Sequence, residues 1–90
     1  MVTVHLPDDL ASEFGAKPTL SLSVHNLGEL FAALESRHPG MATWLSEADG
    51  QIRPNLSIFV AGSRLPNGAG PESPIPHGSE VWILRAISGG

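Results

Sequence analysis

The sequence predicts an α+β fold in which one β-sheet carries one main helix across one of its faces. Four segments alternate apolar with polar residues, which is the period of a half-buried strand. One segment, between the second and third of these, instead repeats apolar residues at the three-or-four spacing of a helix. The chain has 90 residues, 41% of them hydrophobic. This is enough for the modest core of one domain.

Two of the alternating segments lie at the beginning of the chain. VTVHL at 2–6 and TLSLSVH at 19–25 each place apolar side chains on one face. We expect them to form neighbouring antiparallel strands. The stretch 6–18 contains two prolines and a glycine, so it predicts a long loop between the two strands.

The main helix is predicted in NLGELFAALESRHPG at 26–40, where the final Pro-Gly pair ends it. Its apolar face consists of Leu27, Leu30, Phe31 and Leu34. Asn26 is the expected N-cap, and Glu29 follows three residues later, as in a capping box. The next segment, MATWL, predicts a helical turn that closes the core with either Trp44 or Leu45.

Two more strands are predicted in the second half of the chain. They are LSIFV at 56–60 and EVWILRAI at 80–87. The connection between them, 62–78, is rich in proline and glycine and predicts irregular structure, with a short edge strand at 64–65. The predicted core includes Leu22, Leu30, Leu34, Ile58 and Ile83.

The composition disfavours several classes of function. The net charge is −4 and the five Lys and Arg residues are scattered singly, so we expect no nucleic-acid partner. No apolar run approaches the ~20 residues of a membrane span, and the first residues lack the pattern of a signal peptide. We therefore expect no membrane partner and a cytoplasmic location. The chain has no cysteine, which excludes disulfides, thiolate metal sites and a cysteine nucleophile.

The polar residues do not predict an active site. The four histidines lack the spacing of metal ligands, so no bound metal is expected. His5 and His25 could meet on the outer faces of adjacent strands, although a solvent-facing pair is the commoner explanation. Asp8 and Asp9 are most simply turn residues, and PNGAG at 66–70 lacks the Lys-Ser/Thr of a phosphate-binding loop. We predict that the chain by itself is not an enzyme.

The last residues carry the strongest functional signal. The sequence ends ILRAISGG, with two glycines closely following the final predicted strand. Because glycine anchors a terminus poorly, a frayed end is one explanation. The other is a substrate handle, since a backbone without Cβ atoms can pass a narrow channel and present the α-carboxylate of Gly90 for activation. On this second explanation, 1–87 form the folded domain and 88–90 a flexible tail.

Two segments, LSIFVAG at 56–62 and PIPHGSEVWILRAISGG at 74–90, resemble the MoaD/ThiS family of sulfur carrier proteins. The resemblance covers nearly the whole chain. It implies the ubiquitin-like β-grasp fold, with a mixed sheet of four to five strands and one main helix packed across one face. The thiamine-type carriers are shorter and lack most of 41–54. The chain therefore looks more like the longer carriers, such as the cysteine-biosynthesis carrier and the small subunit of molybdopterin synthase.

The resemblance also implies a reaction and its partners. In that family an ATP-dependent, E1-like enzyme adenylates the C-terminal glycine carboxylate and converts it to a thiocarboxylate, which donates sulfide to a sulfur-accepting synthase. By this match Gly90 would carry the sulfur and Gly89 would thread the channel of the enzyme. The entrance of the channel would be lined by Arg85, Ala86, Ile87 and Ser88. The ATP is used by the partner, so no cofactor is expected on this chain.

Phe59, Trp82 and Leu84 fall on the outward face of the predicted strands, where a monomer has little reason to keep a large apolar cluster. We expect this face either to dock the activating enzyme or to be covered by 62–78 or by a second copy of the chain. Two other functions stay open. One is a ubiquitin-like modifier that joins partner lysines through Gly90, and the other is a small β-grasp binding module with an accidental tail.

Overall fold

A computed structural model of the chain describes residues 1–66 and 68–85. Five strands and three helices lie within these residues. The strands are β1 (Val2–His5), β2 (Thr19–Leu22), β3 (Leu56–Val60), β4 (Ser63–Arg64) and β5 (Glu80–Arg85). The helices are α1 (Asp8–Glu13), α2 (Leu27–Arg37) and α3 (Met41–Leu45).

The five strands form one sheet with the order β2-β1-β5-β3-β4. β1 pairs antiparallel with β2 and parallel with β5, whereas β3 pairs antiparallel with both β5 and β4. The sheet is therefore mixed, and strands from the two ends of the described chain lie side by side near its middle. The predicted α+β fold, with a mixed sheet and one main helix, is confirmed.

The core lies between α2 and the inner face of the sheet. The period of two along the strands turns Ile58 and Ile83 inward, and the helical spacing along α2 turns Leu30 and Leu34 toward them. Each of these four side chains is at most 1% exposed. Leu22 is also buried, so all five side chains predicted for the core lie in it. Burial of one such side chain contributes about 1.5–3 kcal/mol.

Side-chain hydrogen bonds define both ends of α2. The Asn26 side chain accepts a hydrogen bond from the backbone N–H of Glu29 at 2.8 Å, which confirms the predicted N-cap. The Glu29 carboxylate accepts from the N–H of His25 at 2.8 Å rather than from that of the cap residue, so the capping box is displaced by one residue. At the other end, the Glu35 carboxylate accepts from the N–H of Gly40 at 2.9 Å and ties α2 to the beginning of α3.

The predicted loop at 6–18 contains a helix that the sequence analysis missed. α1 has six residues, and a helix this short is marginal in isolation. Burial of Leu10 and Ala11 in the core stabilises it. One local signal for it exists: Asp8 and Asp9 follow a proline and place negative charge in the first turn, where the helix dipole favours it. These two residues therefore begin a helix, and their interpretation as turn residues is wrong.

Other bounds also differ from the predictions. β2 ends at Leu22 rather than at residue 25, because its ladder with β1 runs only as far as Val2 opposite Leu22. β4 comprises Ser63–Arg64 rather than 64–65, since Leu65 packs against the core instead. Of the two candidates that could close the core from α3, Leu45 is fully buried and Trp44 is 46% exposed.

Candidate functional site

The structure describes four residues of the predicted functional site: Arg85, Phe59, Trp82 and Leu84. The other five lie outside the described residues: Ala86, Ile87, Ser88, Gly89 and Gly90. The division between a folded domain and a tail at 88–90 therefore stays a prediction.

The outer face of the sheet, which points away from α2, carries an aromatic row across the strands. The register places Trp82 of β5 opposite His5 of β1 on one side and opposite Phe59 of β3 on the other. Leu84 lies two residues further along the same face of β5. Trp82 and Leu84 are each 44% exposed, and Phe59 is half-buried. We refer to Phe59, Trp82 and Leu84 as the outer patch.

Trp82 is supported by His5, a contact that the sequence analysis did not predict. The two rings stack with centroids 3.8 Å apart and planes 15° from parallel. The His5 Nε2 atom lies 3.1 Å from Oε1 of Glu80, and its Nδ1 atom lies 3.4 Å from Oγ1 of Thr19. Only the parallel register of β1 with β5 brings these distant parts of the chain together, so no local signal pointed to the stack.

The two histidines considered as a pair have different partners. His5 contacts Trp82 and Glu80, whereas the Nδ1 atom of His25 lies 3.1 Å from a Glu29 carboxylate oxygen. The same oxygen accepts from the backbone N–H of His25. That backbone hydrogen bond, followed by the one from the ring, lowers the pKa of Glu29 below its ordinary value.

The connection 62–78, in the part that the structure describes, leaves Trp82 and Leu84 of the outer patch 44% exposed, while its strand β4 places Arg64 opposite Phe59. It is bound to the beginning of α2, where the N–H groups of Leu27 and Gly28 donate to the carbonyls of Ser73 and Pro71 at 2.9 Å. These bonds hold only the part of the connection around Pro71 and Ser73 against α2. The described part of 62–78 therefore does not cover Trp82 or Leu84, and coverage of the patch by a second copy of the chain stays a prediction.

Arg85 is the last residue of β5 and the last residue that the structure describes. Its guanidinium forms an ion pair with Asp9 of α1 and lies 5.9 Å from the ring centroid of Trp44 in α3. Trp44 meets the ring of Phe14 edge-on, with centroids 6.4 Å apart. Arg85, which was predicted to line the entrance of the partner's channel, therefore contacts side chains of its own domain in this structure. A cleft of about 330 Å³ opens beside it, lined by Thr43, Trp44, Arg53, Asn55 and Arg85.

A separate groove of about 300 Å³ lies beside β4 at the edge of the sheet. Leu56, Ile58 and Leu65 are among the apolar side chains that line it. Its charged rim is partly neutralised, because the Arg53 Nη1 atom lies 3.4 Å from a Glu47 carboxylate oxygen. Within residues 1–66 and 68–85, no three His, Asp or Glu side chains come together in a way that could hold a metal ion. None of the helices described is long and apolar enough to cross a membrane.

Solved structures resemble this chain over essentially its whole length. A chain of the BexX/CysO complex of Amycolatopsis orientalis matches with a TM-score of 0.86 and 24% identity, covering 100% of both chains. CysO of Mycobacterium tuberculosis, described as an antigen, matches with a TM-score of 0.83 and 27% identity, covering 97% of this chain and 100% of that one. SAMP1 of Haloferax volcanii, a small archaeal modifier protein, matches with a TM-score of 0.74 and 23% identity, covering 99% of this chain and 98% of that one.

No protein-family model matches the sequence, and no curated protein sequence matches it. The structural neighbours confirm the predicted ubiquitin-like β-grasp fold. They are CysO and SAMP1 proteins, in agreement with the resemblance that the last strand and the Gly-Gly end indicated.

Proposed function

We propose that this chain is a ubiquitin-like sulfur carrier of the MoaD/ThiS type, whose Gly90 carboxylate carries sulfide for a biosynthetic pathway. The observation that carries the proposal is the structural match, across nearly the entire chain, to M. tuberculosis CysO and to a chain of the BexX/CysO complex. The Gly-Gly end, which closely follows β5, adds the group on which the chemistry depends.

In this proposal the reaction takes place in the active site of an E1-like partner that binds ATP. An oxygen of the Gly90 carboxylate attacks the α-phosphorus of ATP, and pyrophosphate leaves. Hydrosulfide then attacks the acyl carbon, so that a carbon–sulfur bond forms while the bond to AMP breaks and AMP leaves. The resulting thiocarboxylate gives its sulfide to a sulfur-accepting synthase, and water restores the carboxylate. The chain itself is a co-substrate rather than an enzyme, and it binds no cofactor.

In this proposal the tail carries the Gly90 carboxylate into the active site of the partner and contributes no catalytic side chain. Gly89 suits the narrow channel of the partner because it has no Cβ atom, and residues 85–88 would lie at the channel entrance. A reacting group misplaced by about 1 Å can lose ~10²-fold in rate. The length of the tail should therefore matter far more to the reaction than to the stability of the domain.

The outer patch is the proposed dock for the activating enzyme. Exposed aromatic side chains are typical anchors of protein interfaces. Trp82 is already held against His5, so binding orders few additional degrees of freedom there. The solved complex of a CysO with BexX supports the idea of a carrier that works by docking. Neither nucleic acid nor a membrane is a proposed partner, and the proposed location is the cytoplasm.

Pyrophosphate exchange tests this function. The purified chain is incubated with ATP, labelled pyrophosphate and the E1-like adenylating enzyme of the same organism, and a sulfur donor is then added for intact-mass measurement. We expect exchange, followed by a mass increase equal to the difference between sulfur and oxygen. The chain with Gly90 deleted is the matched control. A wild-type chain that supports no exchange would contradict the proposal.

The second candidate is a ubiquitin-like modifier, which the likeness to the small archaeal modifier protein SAMP1 favours. A modifier would form amide bonds between Gly90 and lysines of other proteins, and a ladder of larger species would appear. Lys17 is the one lysine in this sequence. Ladder bands that persist in Lys17→Arg therefore come from partner proteins and not from chains of this protein.

A further inference from the structure

The end of β5 has strand neighbours on one side only. The ladder between β1 and β5 stops where His5 lies opposite Trp82. The ladder between β3 and β5 continues as far as Leu56 opposite Arg85. The last residues of β5 are therefore paired with β3 alone. On the other side the chain has already left the sheet after β1 and entered α1.

The side chain of Arg85 contacts residues of two helices. Its guanidinium binds the carboxylate of Asp9 in α1, whose other oxygen accepts from the N–H of Leu10 at 2.9 Å. The guanidinium also lies near the face of Trp44, an arrangement that attracts a cation to an aromatic ring. Phe14 contacts Trp44 edge-on from α1's end. Two helices thus hold the one side chain that immediately precedes Ala86.

These contacts add little to the stability of the domain as a whole. The side chains of Arg85 and Asp9 are 39% and 61% exposed, and ion pairs in such positions contribute little to stability. A cation–π contact at an exposed site is also weak. Their main effect should therefore be local, on the order of the last residues of β5.

We infer that Asp9 and Trp44 are positioning residues, which hold Arg85 and so fix the end of β5 that leads toward Gly90. This inference rests on the proposed function, since this placement matters only if Gly90 must meet the α-phosphorus of ATP in a partner. The outer patch then supplies affinity for the activating enzyme, whereas the contacts of Arg85 help to position the Gly90 carboxylate. Loss of these contacts should lower kcat and leave KM unchanged.

A structural measurement tests the inference without any partner. The ¹⁵N order parameters of the Leu84 and Arg85 amides are compared in the wild type, Asp9→Asn and Trp44→Leu. Asp8→Asn is the matched control, because Asp8 lies in the same turn and forms no ion pair among the described residues. We expect lower order parameters in the first two variants, from about 0.85 toward 0.6, and no change in the control. Unchanged values in all variants would overturn the inference.

A kinetic measurement tests its consequence. In pyrophosphate exchange, Asp9→Asn and Trp44→Leu should each lower kcat by about tenfold, a fraction of the ~10²-fold that a 1 Å misplacement can produce. Asp9→Glu, which keeps the charge, should recover most of the rate. If KM rises while kcat stays constant, these side chains touch the partner and the positioning role is wrong. An active wild type with unaffected variants overturns it as well.

The two proposals fail in different ways. If the wild type supports no exchange, the proposed function is wrong. The order parameters alone then decide whether Asp9 and Trp44 hold the end of β5. If the wild type is active, kcat and the order parameters must both fall in Asp9→Asn for the inference to stand.

Discussion

Ile83 and Leu84 are neighbours on β5 but point to opposite faces of the sheet, so replacing each with alanine tests the register on which the core and the outer patch both depend. Ile83 is 0% exposed and faces α2, whereas Leu84 is 44% exposed on the outer face. The two substitutions remove side chains of equal size from the same strand. They differ mainly in the surroundings that are lost, although isoleucine is also β-branched.

The expected magnitudes follow from this burial. Truncating a buried isoleucine to alanine lowers the free energy of unfolding by about 2–5 kcal/mol, because contacts are lost and a cavity remains. Full burial of a leucine contributes ~1.5–3 kcal/mol, and Leu84 has roughly half of this to lose, or about 1 kcal/mol. In a domain of this size each kcal/mol shifts Tm by about 4–8 °C. Ile83→Ala should therefore lower Tm at least twice as far as Leu84→Ala.

Thermal unfolding followed by circular dichroism gives the first comparison, and pyrophosphate exchange gives the second. At a temperature below the Tm of both variants, Leu84→Ala should raise the KM of the activating enzyme for this chain. Ile83→Ala should leave that KM unchanged. A one-residue shift in register would exchange the faces of every side chain on β5. If Leu84→Ala melts at the lower temperature, the assigned faces are wrong, and the outer patch is wrong with them.

Trp82→Ala should raise the KM of the activating enzyme for this chain by roughly 30-fold, the equivalent of about 2 kcal/mol at an interface anchor. Trp44→Leu, at a similarly exposed tryptophan, should leave that KM unchanged. Equal KM values for Trp82→Ala and wild type would exclude the dock. Deletion of Gly90 and the substitution Gly89→Val should each abolish adenylation. Neither should change Tm by more than a typical surface substitution does. Full pyrophosphate exchange by the deletion would refute the carrier mechanism. The lowered pKa of Glu29 implies a contribution to stability that is present above its unfolded value of about 4.5 and is lost as pH falls through the folded pKa. Between pH 6 and pH 3, Tm should therefore fall less in Glu29→Gln than in wild type. Identical curves of Tm against pH would contradict the effect of Glu29.

Local patterns in the sequence were sufficient for the strands, the main helix and the faces they bury. A side chain on a strand points to the face set by its position, so the burial of Ile58 and the exposure of Trp82 follow from alternation alone. The N-cap at Asn26 is equally local, since its hydrogen bond reaches only to Glu29. The Gly-Gly end, which closely follows the last strand, is also a sequence feature, and it is what pointed to a carrier.

Tertiary structure decided everything that depends on which distant segments meet. α1 was missed because six residues provide too little helical propensity on their own, and its stability comes from burying Leu10 in a core that other segments build. The choice between Trp44 and Leu45 was likewise settled by packing. The stack of His5 on Trp82 and the ion pair of Asp9 with Arg85 each join residues more than 70 positions apart. Neither contact leaves a periodic or spacing signal, because it exists only once β1 and β5 have paired in parallel at the middle of the sheet.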